Sequence, residues 1–162
     1  MDYKNGFGDL DFPGEFWLGN QILHEITNRN DVNYKVNIWV LRFDGSSGTS
    51  WYHNFRIDNE ANGYELHCSS TRSSGTANAL FTGTKFSTYD REHDTAISEN
   101  CASEEDNRSG GGWWYTDCGG FFPNGRYQSQ ENAGYKKGIF WYQLTGSHSI
   151  SLKKVSMKIK RM

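Results

Sequence analysis

The acid-rich segment Asp90-Arg91-Glu92-His93-Asp94 carries a carboxylate at every second residue. On an extended or turning loop, such oxygens can converge on one hard cation such as calcium, with backbone carbonyls completing about six to eight oxygen ligands. The glycine and the distal glutamate of an EF-hand are missing, and a single imidazole with no second His or Cys beside it makes a poor zinc site. The same alternation is common on solvated loops, so the residues alone leave a calcium loop and a solvated loop both open.

Two cysteines flank the polar stretch that follows. A bond between Cys101 and Cys118 would close a loop of about 16 residues and contribute roughly 3 kcal/mol through the entropy of the unfolded chain. The pair is typical of an extracellular module, and the chain has no Cys-x-x-Cys that would indicate redox or zinc-ribbon chemistry. Cys68 then has no partner. We expect it to be a small buried hydrophobic residue, with an intermolecular bridge as the alternative.

The usual catalytic signatures are missing from the sequence. It has no Gly-x-Ser-x-Gly elbow, no glycine-rich phosphate loop ending in Lys-Ser/Thr and no His-Glu-x-x-His, and its five histidines are scattered. We therefore predict that the protein is not an enzyme. A hydrolase triad assembled in space is the weakest of the options that remain.

Composition bounds the class of protein. The 162 residues suffice for one domain, and 15% of them are aromatic, so large rings must supply much of the core. The formal charge of -2 gives no overall field that steers the chain toward nucleic acid or an anionic membrane. No apolar run approaches the roughly 18 residues of a membrane span, and the first ten residues do not read as a secretory signal.

The elements that position these residues are predicted from periodicity. Ile22, Leu23 and Ile26 share one face of a short helix over 20–27, with Asn20 as its N-cap. Alternating segments predict strands, and the stretch 86–138 shows little regular periodicity. We therefore predict an α+β fold: a twisted, mainly antiparallel sheet, short flanking helices and a long, loop-rich C-terminal half. The predicted strands cover 34–43, 51–57, 64–68, 138–144 and 150–159.

The order of these motifs resembles the C-terminal globular domain of fibrinogen and of its relatives, the ficolins, tachylectins and angiopoietins. The matching segments run along nearly the whole chain. They are Asn5-Gly6-Phe7-Gly8, Glu15-Phe16-Trp17-Leu18-Gly19-Asn20, Phe86-Ser87-Thr88-Tyr89-Asp90, Asn100-Cys101-Ala102, Gly112-Trp113-Trp114-Tyr115, Asn124-Gly125-Arg126-Tyr127, Gly138-Ile139-x-Trp141 and Met157-Lys158-Ile159.

The resemblance implies a calcium loop with four ligands. They are the carboxylates of Glu92 and Asp94 and the carbonyls of Ile97 and Glu99. Two departures from the family pattern predict that calcium binding is weakened or lost. Glu92 replaces an aspartate, and one extra residue precedes Cys101, which shifts the alternative carbonyls to 96 and 98.

The resemblance also implies a ligand pocket beside that loop. It places Asp117, Cys118 and Gly119 there, with a cis peptide before Cys118 that turns a backbone N–H toward the ligand, and it adds Tyr135 and Lys136. Gly119 replaces a frequent histidine. Lys136 stands where many relatives carry Ala or Asp, which changes the room and the charge of the pocket.

By this resemblance we expect one domain over residues 1–162 that lacks the N-terminal subdomain of its relatives, and we expect a secreted, extracellular protein of innate immunity. Its function would be lectin-like binding of carbohydrate or acetylated groups, with a calcium-stabilised loop. The alternative is a protein-binding module of the fibrin-knob or receptor-ligand type. The sequence contains no collagen-like or coiled-coil segment through which a weak binder gains strength from several sites.

Overall fold

The computed structural model describes residues 3–11, 14–29, 31–70, 79–104 and 110–162. Within this part of the chain, two short helices and a 3-10 turn connect eight strands. The elements in chain order are β1 (Phe7–Gly8), β2 (Phe16–Trp17), α1 (Asn20–Thr27), β3 (Tyr34–Leu41), β4 (Ser47–Ile57), the 3-10 helix (Glu60–Asn62), β5 (Leu66–Ser70), β6 (Phe121–Phe122), β7 (Phe140–Trp141), α2 (Tyr142–Thr145) and β8 (Lys154–Arg161).

The centre of the fold is a four-stranded antiparallel sheet in the order β5-β4-β3-β8. Its inner face follows the alternation of β3, where Val36, Ile38 and Val40 are at most 1% exposed. β-Branched residues at every second position favour this pleated surface. The predicted α+β class with a mainly antiparallel sheet is confirmed. No helix in the described ranges is long and apolar enough to cross a membrane.

Helix α1 covers the predicted range, but the predicted cap is wrong. Gly19 is the N-cap, and Asn20 is the first helical residue, buried to 1% exposure. Gly19 has φ 105°, and a Cβ there would lie 2.8 Å from the backbone carbon of Asn5. A glycine is therefore required at the turn into the helix, and it takes the capping position that the side chain of Asn20 was expected to fill.

Strand limits differ from the predictions wherever the backbone turns. Tyr64 has φ 52°, so β5 begins only at Leu66. The predicted strand 138–144 is wrong beyond Trp141, because the chain enters helix α2 and leaves it through Gly146 in the left-handed conformation. Strand β4 begins at Ser47, four residues before its predicted start, because hydrogen bonding to β3 extends it through polar residues.

A second, aromatic layer of the core joins the sheet to the C-terminal half. Phe86 and Trp114 meet edge to face at 5.0 Å, and Trp113 contacts Phe121 at 5.4 Å. The indole N–H of Trp114 donates to the carbonyl of Tyr64 at 2.8 Å, which satisfies the polar end of a ring that is 1% exposed. These rings support a segment with little regular structure, as predicted for 86–138.

Candidate functional site

The predicted calcium loop is fixed to the aromatic core at its beginning. Ser87 and Trp113 exchange two backbone hydrogen bonds, of 2.9 and 3.1 Å. The Ser87 hydroxyl accepts the N–H of His93, and the His93 Nδ1 donates to the carbonyl of Phe86 at 2.8 Å. His93 therefore holds the start of the loop through its backbone N–H and its Nδ1.

Asp94 organises the turn of this loop through both carboxylate oxygens. One oxygen accepts the N–H of Ala96 at 3.2 Å, and the other accepts the N–H of Cys101 at 3.1 Å. The N–H of Thr95 donates to the carbonyl of Thr116 at 2.8 Å, so the loop is tied to the segment that leads to Cys118. Each oxygen of Asp94 keeps a lone pair that could face a cation.

The other predicted metal ligands lie nearer to solvent. Glu92 is exposed, and the side chain of Ile97 is fully exposed, so only its carbonyl is a possible ligand. The Glu99 carboxylate lies 3.8 Å from the ammonium of Lys136. Oxygen donors are the ligand type that calcium prefers, and Asp94 is the member of the predicted set whose carboxylate is held by hydrogen bonds within the loop.

The disulfide between Cys101 and Cys118 is present, as predicted, with a Cα–Cα distance of 4.8 Å. Both cysteines are buried. Cys118 has φ 38°, a conformation that costs a non-glycine residue of order 1 kcal/mol or more and concentrates at functional sites. Its N–H donates to the Sγ of Cys101 at 2.9 Å, so this N–H is not open to a ligand in the structure. Asp117 before it is exposed, and Gly119 after it is half-buried.

Lys136 is the predicted ligand residue that lies beside the loop. Its side chain is only 15% exposed, and its ammonium lies between the Glu99 carboxylate and the ring of Tyr135, 5.7 Å from the ring centroid. Its backbone has φ 52°, and its N–H donates to the carbonyl of His148 at 2.9 Å. A non-glycine residue with positive φ and a largely buried charged side chain is an uncommon arrangement, of a kind that clusters at functional sites.

Three aromatic side chains form a surface beside Lys136 that we call the aromatic shelf: Tyr135, Tyr142 and His148. His148 stacks on Tyr142 with ring centroids 4.3 Å apart, and Tyr135 lies 5.5 Å from His148. Tyr135 is 68% exposed and Tyr142 is 41% exposed. Burial lowers the pKa of His148, and the nearby charge of Lys136 lowers it further. The shelf therefore presents neutral rings beside one fixed positive charge.

Sequence reasoning missed two members of the shelf. Tyr142 was assigned to a strand, and His148 was one of five scattered histidines. The available signal was Gly146, because a glycine turn between these two residues can bring their rings face to face.

Another cluster of potential ligands lies on the β4–β5 hairpin. Ligand atoms of Asp58, Glu65 and His67 lie within 4.8 Å of one another. Arg56 already pairs with Asp58 at 2.7 Å, and the Nε2 of His67 lies 3.1 Å from the other oxygen of Asp58. We interpret this group as an ion-pair network that closes the hairpin.

A cavity of about 480 Å³ is lined by residues outside the predicted ligand site. None of the five predicted ligand residues lines it. Its walls are Tyr3, Thr88, Tyr89, Ala102, Ser103, Glu104, Gly111 and Gly112. The shelf lies beside Lys136, which has a positive φ and a charged side chain, so we take the shelf and Lys136 as the candidate site.

The sequence of the chain is similar to those of known proteins. The sequence model described as "Fibrinogen beta and gamma chains, C-terminal globular domain" matches residues 1–162. The human fibrinogen alpha chain is 38% identical over 99% of this chain, and the bovine fibrinogen-like protein 1 is 35% identical over 98%. The chain spans 20% of the first relative and 53% of the second.

Solved structures share the fold. The fibrinogen-like globe domain of human ANGPTL2 superposes with a TM-score of 0.82 at 34% identity, over 98% of this chain and 70% of that domain. A lamprey fibrin D-dimer superposes with a TM-score of 0.84 at 27% identity, over 98% of this chain and 54% of that one. The lamprey protein was solved in complex with the peptide Gly-His-Arg-Pro-amide.

Proposed function

Because the chain belongs to the family of fibrinogen C-terminal globular domains, we propose that it is an extracellular, non-enzymatic recognition module of the lectin kind. Its ligand would be a carbohydrate or an acetylated group on a microbial or host surface. The observation that carries the proposal is Lys136, whose ammonium is held by strained backbone between the loop and the aromatic shelf.

The shelf and the lysine would divide the work of recognition. Exposed tyrosine rings offer flat apolar faces with a polar edge, which suits a sugar ring or an acetyl methyl group. The Lys136 ammonium adds a positive charge beside the shelf, which it shares with the Glu99 carboxylate 3.8 Å away. Ligands that also carry a carboxylate or a sulfate should therefore bind better than their neutral counterparts.

Calcium would act on the loop rather than on the ligand. Asp94 and Glu92, with the carbonyls of Ile97 and Glu99, would hold the ion. When bound, calcium supplies a charge that draws these oxygens together. Asp94 anchors the loop to Cys101, and Glu99 lies beside Lys136, so ordering of the loop would hold the ammonium in place.

The second candidate is a protein-binding module that recognises a peptide or a receptor. The peptide bound by the related lamprey fibrin fragment favours it. That peptide is cationic, whereas the ammonium of Lys136 would repel an arginine placed near it. The peptide for this chain would thus have to be acidic.

A glycan array with millimolar calcium separates the two candidates. The lectin proposal expects hits on acetylated sugars that free acetate inhibits, with acidic members strongest. Lys136→Gln should abolish them, and the matched variant Lys137→Gln should not. If the array shows no glycan binding while an acidic peptide library yields binders that depend on Lys136, the lectin proposal is wrong and the second candidate replaces it.

A further inference from the structure

The outer face of the central sheet carries a row of lysines that the candidate site does not use. Strand β8 pairs with β3 so that Lys160 lies opposite Lys35, Lys158 opposite Asn37 and Lys154 opposite Leu41. Since Val36, Ile38 and Val40 face the core, these residues lie on the opposite face of the sheet, where Asn37 is 8% exposed and the lysines of β8 are exposed. We call Lys35, Lys154, Lys158 and Lys160 the lysine face.

The lysine face contains no opposing charge along its own strands. Over the described strands β3 and β8, and over β4 from Ser47 to His53, no outward position is an aspartate or a glutamate. Lys154, Lys158 and Lys160 are exposed. Lys35 is half-buried and places its ammonium over the ring of Trp51, 5.0 Å from the centroid. Positive charge is therefore concentrated here although the whole chain carries -2.

This arrangement costs stability. Like charges directly opposite in an antiparallel pair repel, and Lys35 and Lys160 are such a pair. Lysines on an edge strand also guard against strand-to-strand aggregation, which would account for β8. That role does not account for Lys35, because β3 lies inside the sheet, between β4 and β8.

Charge complementarity points to a linear polyanion as the occupant. Lysine is a compact point charge without the planar fork with which arginine reads base edges, so the face is suited to charge rather than to base recognition. None of the outward positions on β3 or β8 is an arginine. Trp51, 36% exposed, adds an aromatic ring beside the cations, which a sugar ring can contact. A sulfated polysaccharide supplies both the charge and the sugar.

We propose that the lysine face binds linear sulfated polysaccharides. The choice of a polyanion found outside cells rests on the proposed extracellular location, but the surface is separate from the aromatic shelf. Binding would follow charge and salt rather than acetylation. Failure at one surface therefore leaves the other testable by itself.

The test measures binding of heparin, as a probe, to the folded full chain over a range of salt concentrations. The variant Lys35→Gln/Lys158→Gln/Lys160→Gln should weaken binding by at least about tenfold and flatten the dependence on salt. The matched control Lys85→Gln/Arg126→Gln/Arg29→Gln removes the same charge from exposed positions elsewhere and should change binding less than about threefold. Desulfated heparin should not bind.

Several results would overturn the proposal. Equal losses in both triple variants would show that binding follows net charge alone, and undetectable heparin binding by the unmodified chain at low salt would exclude the site. Tighter binding of single-stranded DNA or of phosphatidylserine vesicles would assign the face to another occupant. If the triple variant does not fold, the single variants Lys158→Gln and Lys160→Gln replace it, and each should weaken heparin binding by about two- to threefold.

Discussion

Lys136 combines backbone strain with a role in the proposed site, so stability and binding should respond oppositely to its replacement. Lys136→Gly relieves a positive φ and removes a largely buried ammonium together with its 3.8 Å ion pair with Glu99. We expect the free energy of unfolding to stay level or rise by about 1 kcal/mol while glycan binding is lost. Thermal melting and the array measure the two effects.

A control separates strain from charge at this position. Lys136→Gln keeps the strained backbone and loses only the ammonium, so it should lose binding without the gain in stability. If Lys136→Gly binds as well as the unmodified chain, the lysine has no part in the site.

Cys68 is the free cysteine of the described chain, and the structure makes it unreactive. It packs against the core, and burial raises the pKa of its thiol from 9.0 to about 11. Since the thiolate is the reactive form, alkylation near neutral pH should be about 100-fold slower than for a thiol with the ordinary pKa. The rate of iodoacetamide labelling, native against unfolded in urea, measures this ratio. Equal rates would show that the side chain is open to solvent.

At the scale of single residues, the sequence predicted features that depend on residues close together in the chain. The Cys101–Cys118 disulfide could be predicted because two cysteines bracket one loop. The N-cap of helix α1 could not be predicted in the same way. Gly19 takes this position because the backbone of Asn5 approaches it closely, and Asn5 lies outside the helix and its turn. The position of the Lys136 ammonium next to Glu99 likewise depends on how two loops pack, which periodicity does not encode.

At the scale of elements, the β4–β5 hairpin should be sensitive to acid through Asp58. Burial opposes ionisation of this carboxyl, but hydrogen bonds and charges from His67 and Arg56 outweigh it and lower its pKa below 3.8. A depressed pKa stabilises the fold above the unfolded value, and that contribution is lost as pH falls through the folded value. Asp58→Asn should cost up to about 1 kcal/mol at pH 7, and this cost should shrink as pH falls below 3.8.

Urea unfolding of Asp58→Asn and of the unmodified chain across this range measures the difference. Glu25→Gln is a suitable control, because Glu25 is an exposed carboxyl on helix α1, outside the hairpin. A gap between Asp58→Asn and the unmodified chain that stays constant as pH falls would show that the loss comes from packing instead of ionisation.

Strands were predicted best where one face is buried along their whole length. Val36, Ile38 and Val40 repeat every second residue, so β3 could be read directly from the chain. The stretch from Phe140 to Leu144 is equally apolar, but it enters a helix after two residues. Its Tyr142 N–H donates to the carbonyl of Gly120, a contact made by the fold and not by local pattern.

At the scale of the whole molecule, the distribution of charge matters more than its sum. A total of -2 predicts indifference to polyanions, and it conceals the lysines of one sheet face and the acids of the predicted calcium loop. The family and the fold could be predicted because ordered motifs span the chain. The grouping of lysines on one sheet face could not be predicted, because it depends on strand register. Register is set by pairing across the sheet.

Calcium should raise the stability of the folded domain as a whole if the loop binds it. With a dissociation constant of about 0.1–1 mM, as in extracellular modules, 10 mM calcium would add about 1.4–2.7 kcal/mol. For a domain of this length, that is a rise in melting temperature of roughly 3–10 °C.

Glu92→Gln should shrink the rise in melting temperature, because it removes a predicted calcium ligand. The variant should still fold, since this carboxylate is exposed. Glu65→Gln is the matched control, and loss of the rise in that variant alone would place the ion on the β4–β5 hairpin. An unchanged melting temperature in 10 mM calcium, compared with chelator, would show that the loop is held by Asp94, the disulfide and Lys136 without a metal.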